Sequence, residues 1–327
     1  MEKRRVPLPP PLPTFVLRSF PAGVCCVKYD SKDPLRLFTG DQQGSIELFN
    51  LETRRSMWKV TNAHQSNVLD LHQTNQIEDR LITLGKDGFV QLWNFQGENQ
   101  WKYQTNHCSF SNCDVVSSNL IVVPVGNSES AVAALDHRSP AVVARKFLPR
   151  KETSNSFGMV MKLRAMGDDF LCVAYENGSL SIFQVSTGEQ FDSYQVTSDH
   201  QPITALDTYQ HTCLCGNTSS TLISLDFLSS KLQATENFRS VNLPNPGTSF
   251  IRCRPNDGKL MAAAGWDSRI RLFRRETGKQ LAMLDFHQQQ VNSIDFQHST
   301  QQMACASSDR TVSIWDLYQN QVITNKN

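Results

Sequence analysis

Seven stretches of this chain are built to one plan, and their spacing restricts the fold more than any other feature of the sequence. Each is a turn of small or polar residues followed by an alternating strand that ends in a large side chain: "GDQQGSIELFNL", "GKDGFVQLWNF", "GNSESAVAALDH", "YENGSLSIFQV", "GNTSSTLISLDF", "GWDSRIRLFRR" and "SSDRTVSIWDL". The large residues fall at Phe49, Trp93, Leu135, Phe183, Leu225, Phe273 and Trp315, separated by 44, 42, 48, 42, 48 and 42 residues. A period of about 40–45 residues made of short strands is the length of a four-stranded propeller blade. Seven such blades close a ring, so the expected fold is an all-β, seven-bladed β-propeller over residues 14–327 behind a Pro-rich lead at 1–13.

The unit "AHQSNVLDLHQ…RLITLGKDGFVQLWNF" shows what one period contains. Strands at about 67–72, 80–84 and 89–94 are separated by turns and alternate along their length, and an outer strand completes the blade. A sheet packed on both faces places aliphatics on one side and an aromatic on the other, as Leu92 and Trp93 do. The ring needs closing, and "FVLR" at 15–18 leads into "SFPAGVCCVKY" as an outer strand leads into the next blade's first. It is therefore predicted to pair beside Ser313-Ile314-Trp315 and leave no free edge. The competing closure, "QVITNK" at 321–326, is shorter and more polar.

Composition removes several function classes. Lys and Arg number 32 against 31 Asp and Glu, so the net charge of +1 gives no general attraction to nucleic acid or an anionic membrane. An odd count of nine cysteines and a charged, proline-bearing start, "MEKRRVPLPPPLP", read as a reduced, intracellular chain. No run approaches the roughly 18 apolar residues of a spanning helix. His107-Cys108 with Cys113 is half a metal site, and the cysteines read as buried small hydrophobes, so neither metal nor cofactor is expected. There is no G-x-S-x-G, no Gly-rich phosphate loop and no carboxylate-histidine metal cluster to be read from the motifs, which argues against an enzyme.

On these motifs the chain resembles the WD-repeat family over nearly everything after residue 13. The resemblance implies a hydrogen-bonded tetrad in each blade: a His before the first strand, a Ser or Thr in the second, an Asp in the next turn and the Trp ending the third. Blade two matches with His64, Thr83, Asp87 and Trp93. Blade seven keeps His287, Asp309 and Trp315 but has Cys305 at the hydroxyl position, and Asp267 is the turn aspartate of blade six. Blades ending at Leu135, Phe183 and Leu225 have mostly lost the tetrad. These are structural residues, and His200, which also precedes a first strand, is expected to be one.

The pair Trp266-Asp267 in "AGWDSRIRLF" is not the dipeptide that names the family. Counting six back from the terminal large residue places Asp267 in the turn, as Asp309 and Asp87 are, whereas Trp315-Asp316 is the naming pair. Trp266 thus holds the position before the turn, where the other blades have Gln42, Lys86, Ser128, Glu176, Thr218 and Ser308. A tryptophan on that polar rim reads either as a brace on its own blade or as a partner-binding anchor, with Arg269, Arg271, Lys86 and Glu176 as companion contacts.

"FVLRSF", "NLETRRS", "NPGTSFIRCRP" and "LAMLDFH" point to a branch of the family linked to ASTRA-type chromatin complexes. What that resemblance implies is a non-catalytic scaffold, cytoplasmic and nuclear, acting with the Tel2-Tti co-chaperone system in the maturation of phosphatidylinositol 3-kinase-related kinases and so in DNA-damage signalling. A G-protein γ partner is not expected, because γ-binding relatives carry a long N-terminal helix and five prolines occupy the first thirteen residues here. The lead "PLPPPLP" reads as a polyproline II spacer able to dock in an SH3 or WW groove. Membrane contact and self-association are not expected either. The alternative function is nucleic-acid or chromatin binding by the basic segment 138–151, with Arg138, Arg145, Lys146, Arg150 and Lys151 at its edge. That segment lacks the interleaved aromatics of single-strand binders.

Overall fold

A computed structural model describes residues 11–74, 80–107, 109–116, 120–126, 130–138, 143–150, 156–235, 238, 241–300 and 302–317. All regular structure among them is β, in seven separate antiparallel sheets. Blade two runs Val68–Thr74, Arg80–Gly85, Phe89–Asn94 and Asn99–Gln104, each strand paired with the next. Blades one, three, four and six repeat that order, with first strands Val24–Tyr29, Asp114–Val116, Val160–Met166 and Thr248–Cys253. Blade five starts at Ile203–Tyr209, and its outer edge is split between Lys231–Ala234 and Val241–Asn242, both paired with Thr221–Leu228. The chain folds as the seven-bladed propeller its period predicts.

Blade seven has only three strands from its own stretch of chain, Val291–Phe296, Gln302–Ser307 and Thr311–Asp316. The fourth is Phe15–Leu17, with Phe15 opposite Ile314, Val16 opposite Ser313 and Leu17 opposite Val312. This is the predicted closure. Thr14 adds a backbone N–H to Ile314 O at 2.7 Å and accepts Asp316 N–H on its hydroxyl at 3.1 Å. Leu17 and Phe20 then enter the apolar layer between blades seven and one, beside Ala304, Ala306, Val312 and Phe49. Removing a large apolar side chain from water contributes roughly 1.5–3 kcal/mol, so the seam holds by burial as well as by pairing. The stretch 321–326 lies outside the described residues.

Two irregularities recur because each blade repeats the same local problem. The first strand slips register against the second just after its start in six blades, as between Val68 and Asp70 or Val291 and Ser293. The third slips against the fourth at the large residue in five blades, for example between Leu92 and Trp93 and between Leu272 and Phe273. A bulge of this kind re-aims a side chain. Here it accompanies the turning of Phe49, Trp93, Leu135, Phe183 and Phe273 into the space between sheets, where each is buried.

Candidate functional site

The face carrying the turns between second and third strands is built from the turn aspartates upward. In blade two, Asp87 accepts the backbone N–H of Gln65 at 2.9 Å and of Phe89 at 3.2 Å, and His64 Nδ1 lies 3.0 Å from its Oδ1. His64 Nε2 is 2.7 Å from Thr83 Oγ1, which also accepts the Trp93 indole N–H at 3.0 Å. One proton assignment satisfies the chain: indole to hydroxyl, hydroxyl to Nε2, Nδ1–H to carboxylate. Burial raises the Asp87 pKa, but the bonds from His64 and the two amides outweigh it and hold the carboxyl below its ordinary value.

Blade seven solves the missing hydroxyl differently from the sequence expectation. Cys305 faces Ser313 across the strand pair, and Ser313 takes the hydroxyl role from the third strand. His287 Nε2 is 2.8 Å from Ser313 Oγ, Trp315 Nε1 donates to the same oxygen at 2.8 Å, and His287 Nδ1 is 2.9 Å from Asp309. The brace is complete with a swapped partner. His200 is no such brace: it is exposed, at φ 55° in the turn before blade five.

Blade six keeps the aspartate and replaces the histidine. Asp267 takes Arg271 Nη1 at 3.1 Å and Nη2 at 2.6 Å, Asn245 Nδ2 at 2.9 Å and the Arg269 N–H at 3.3 Å. Arg271 is 1% exposed. It is therefore an internal strut and not the rim contact that its place beside Trp266 suggested, because a third-strand side chain two before the aromatic points back at the turn.

Trp266 is on the rim. It remains 44% exposed while one face of its indole lies on Gly247, where a Cβ would meet the ring at 2.2 Å. Gly247 also has φ of 91°, so glycine is required there twice over, and the Trp266 N–H donates to its carbonyl at 3.1 Å. Arg269 is part-exposed and leans on Asp285, with Nε to Oδ2 at 3.0 Å. Lys86 holds its ammonium 4.3 Å from the ring of Phe110, an exposed aromatic the sequence reading passed over. Glu176 is half-buried and accepts the Met159 N–H at 3.1 Å, so it fastens the entering loop of blade four.

The other face of the ring has a feature that sequence reasoning also missed. Four residues into the inner strand, six blades place Lys28, His72, Arg164, Asp207, Arg252 and Asp295, and blade three adds Asp114. Going round, Lys28 pairs Asp295 at 3.2 Å, Asp295 pairs Arg252 at 3.1 Å, Arg252 pairs Asp207 at 3.5 Å, Asp207 pairs Arg164 at 3.4 Å and Arg164 pairs Asp114 at 3.6 Å. Each aspartate also accepts a backbone N–H of the next blade: Asp295 from Tyr29, Asp207 from Cys253 and Asp114 from Ala165. Burial pushes the Asp295 pKa up, and Lys28 with Arg252 more than reverses it. The ring lines a cavity of about 920 Å³ at this end of the channel. Its charges satisfy one another, so it reads as a lock on blade order.

The basic segment offers less free charge than its composition suggests. Arg138 is held by Asp136 at 2.6 Å and Arg150 by Glu189 at 2.9 Å; Lys151, like Ser128 and Cys108, lies outside the described residues.

A WD domain, G-beta repeat, matches residues 278–316, the stretch that supplies the last outer strand of blade six and most of blade seven. With seven such sheets closed into a ring, that decides the class. The chain is a seven-bladed β-propeller carrying a WD repeat. It is 29% identical over 329 residues to mouse "Guanine nucleotide-binding protein subunit beta-like protein 1", covering 95% of this chain and 97% of that one. It is 24% identical to "ASTRA-associated protein 1" of Aspergillus niger, over 88% of this chain and 81% of the relative. A shorter segment of 85 residues is 38% identical to the protein of that name in Schizosaccharomyces pombe, 24% of this chain. WD-repeat propellers and these relatives support a protein-interaction scaffold.

Proposed function

We propose that this propeller is a non-catalytic scaffold of ASTRA-type assemblies, working with the Tel2-Tti co-chaperone system in the maturation of phosphatidylinositol 3-kinase-related kinases in cytoplasm and nucleus, and so in DNA-damage signalling. The relatives named for ASTRA association support the setting. The observation that carries the contact is Trp266: a 44% exposed indole, seated on Gly247, where the other blades put small, polar or charged residues. A rigidly backed aromatic with an arginine beside it is the usual make-up of an interface hot spot. Arg269 and Lys86 with Phe110 extend the same face.

The test is capture from cells of native partners by the purified full chain and by Trp266→Ala, with proteins identified by mass spectrometry. Tel2-Tti components or a kinase of that class should come down with wild type and be depleted with the variant. Recovery of neither from wild type would overturn the setting, and equal recovery by both would overturn the site.

A further inference from the structure

An odd ring cannot alternate positive and negative charge all the way round, and blade two is where the alternation fails. Lys28 of blade one and Asp114 of blade three are its neighbours, and between them stands His72. His72 Nδ1 is 3.4 Å from Asp114 Oδ1, and Nε2 is 3.1 Å from Asp70 Oδ2. Two carboxylates thus converge on one imidazole, at the only position of the circuit without an Arg, Lys or Asp. Into the same space projects a third kind of donor, the fully buried thiol of Cys113: a carboxylate oxygen, an imidazole nitrogen and the sulfur all lie within 4.8 Å of one another.

We propose that Asp70, His72 and Cys113 form a binding site for a single divalent transition-metal ion, with zinc the best match. The donor set is borderline-soft, one O, one N and one S, which suits Zn²⁺ and disfavours magnesium or calcium. The outer contacts are those a zinc site uses. Asp114 fixes the ring from Nδ1 and leaves Nε2 to the ion, the carboxylate–histidine–metal arrangement. Asp70 has one oxygen held by the Leu71 N–H at 2.9 Å and turns the other to His72. A cavity of about 30 Å³, lined in part by Asp70, leaves water-sized space on the Asp70 side of the site. Lys162 and Arg164 line that cavity and oppose a cation. The ion's double charge, set against the Asp70 carboxylate and a Cys113 thiolate with Asp114 behind, offsets them. Binding forms the metal–sulfur bond as the Cys113 S–H proton leaves to solvent, and the metal–nitrogen bond as the proton that His72 Nε2 shares with Asp70 leaves with it, so uptake releases about one to two protons per ion.

The experiment uses the purified full chain stripped with a chelator and titrated with Zn²⁺, then with Co²⁺ as a spectroscopic probe. The expected result is one equivalent bound, a rise in melting temperature and, with cobalt, a thiolate-to-metal charge-transfer band. Cys113→Ser should abolish the band and weaken binding at least about 100-fold, and Asp114→Asn should weaken it about 10–100-fold while keeping the band. Cys305→Ser, a buried thiol elsewhere, should change nothing. A folded wild type that takes up neither ion, or uptake equal in Cys113→Ser (an adventitious ion only), would overturn the site. The band in wild type needs no variant, so a Cys113→Ser chain that fails to fold does not rescue or sink the reading. His72 would then serve only as an ion-pair member, and partner capture through Trp266 would be untouched.

Discussion

Blades two and six begin from the same demand and meet it in opposite ways. Each has an aspartate six residues before the terminal aromatic and a glycine two before the aspartate, because the turn closes tightly there: a Cβ on Gly85 would sit 2.1 Å from His64 Nδ1, and one on Gly265 2.3 Å from Asp267 Oδ1. Blade two reaches outside its sheet for a partner and ties down the incoming loop through His64. Blade six takes its partner from its own third strand, Arg271, with Asn245 as a lighter tie to the loop. Between these two blades the turn aspartate is constant and its counter-group varies. Where the strand supplies that group, the loop carries other work, and in blade six Gly247 backs the indole of Trp266.

The comparison breaks most visibly at Arg271. Arg271→Ala leaves Asp267 facing a half-closed turn without its bidentate partner, and removal of one member of a buried pair costs about 3–5 kcal/mol. Denaturant unfolding should show that loss, and a variant as stable as wild type would return Arg271 to the rim. Asp87→Ala in blade two removes an acceptor that is only part-buried and is shared among His64 and two backbone amides, so the loss should be smaller, about 1–3 kcal/mol for the groups left unsatisfied. If Asp87→Ala costs more than Arg271→Ala, the ranking of the two braces is inverted. Acid sharpens the same contrast. The Asp87 pKa is lowered on folding from about 3.8, so its contribution is fully present above that value and is lost as pH falls below it toward the folded pKa. Melting curves between neutral pH and pH near 2 should therefore steepen for wild type at the acid end. Asp87→Asn should remove part of that slope, and an unchanged slope would deny the shift.

Much of this was readable in advance, and the exceptions have physical reasons. The 42–48-residue period, the closing strand and the blade-two tetrad follow from residues that repeat at fixed places. Ser313 was hidden because a hydroxyl can reach His287 from either of two paired strands, and only the register puts it opposite Cys305. Arg271 was misplaced because Trp266 lies in the turn whereas Arg271 stands on the third strand with its side chain turned back onto Asp267, so nearness to Trp266 in the chain said nothing of burial. The charge ring escaped since its members differ in sign from blade to blade and pair only with residues of the neighbouring blade, more than 40 positions away in the chain. Blades one and five shift the turn acceptor two residues earlier, to Asp41 and Asn217, which take the N–H groups of Gln43 and Ser219. A fixed count back from the large residue overlooks them.

The smallest expected change in stability belongs to the residue with the largest expected change in binding. Trp266→Ala should unfold within about 1 kcal/mol of wild type, since nearly half of the indole is already in water and its backing is one glycine. Partner capture should fall by about 2 kcal/mol or more, roughly 30-fold in affinity. Unfolding and quantitative capture measured on the same preparation decide the matter. Separation of the two effects is the predicted result; a variant destabilised by several kcal/mol whose folded fraction binds as well as wild type would make Trp266 a brace and contradict the account.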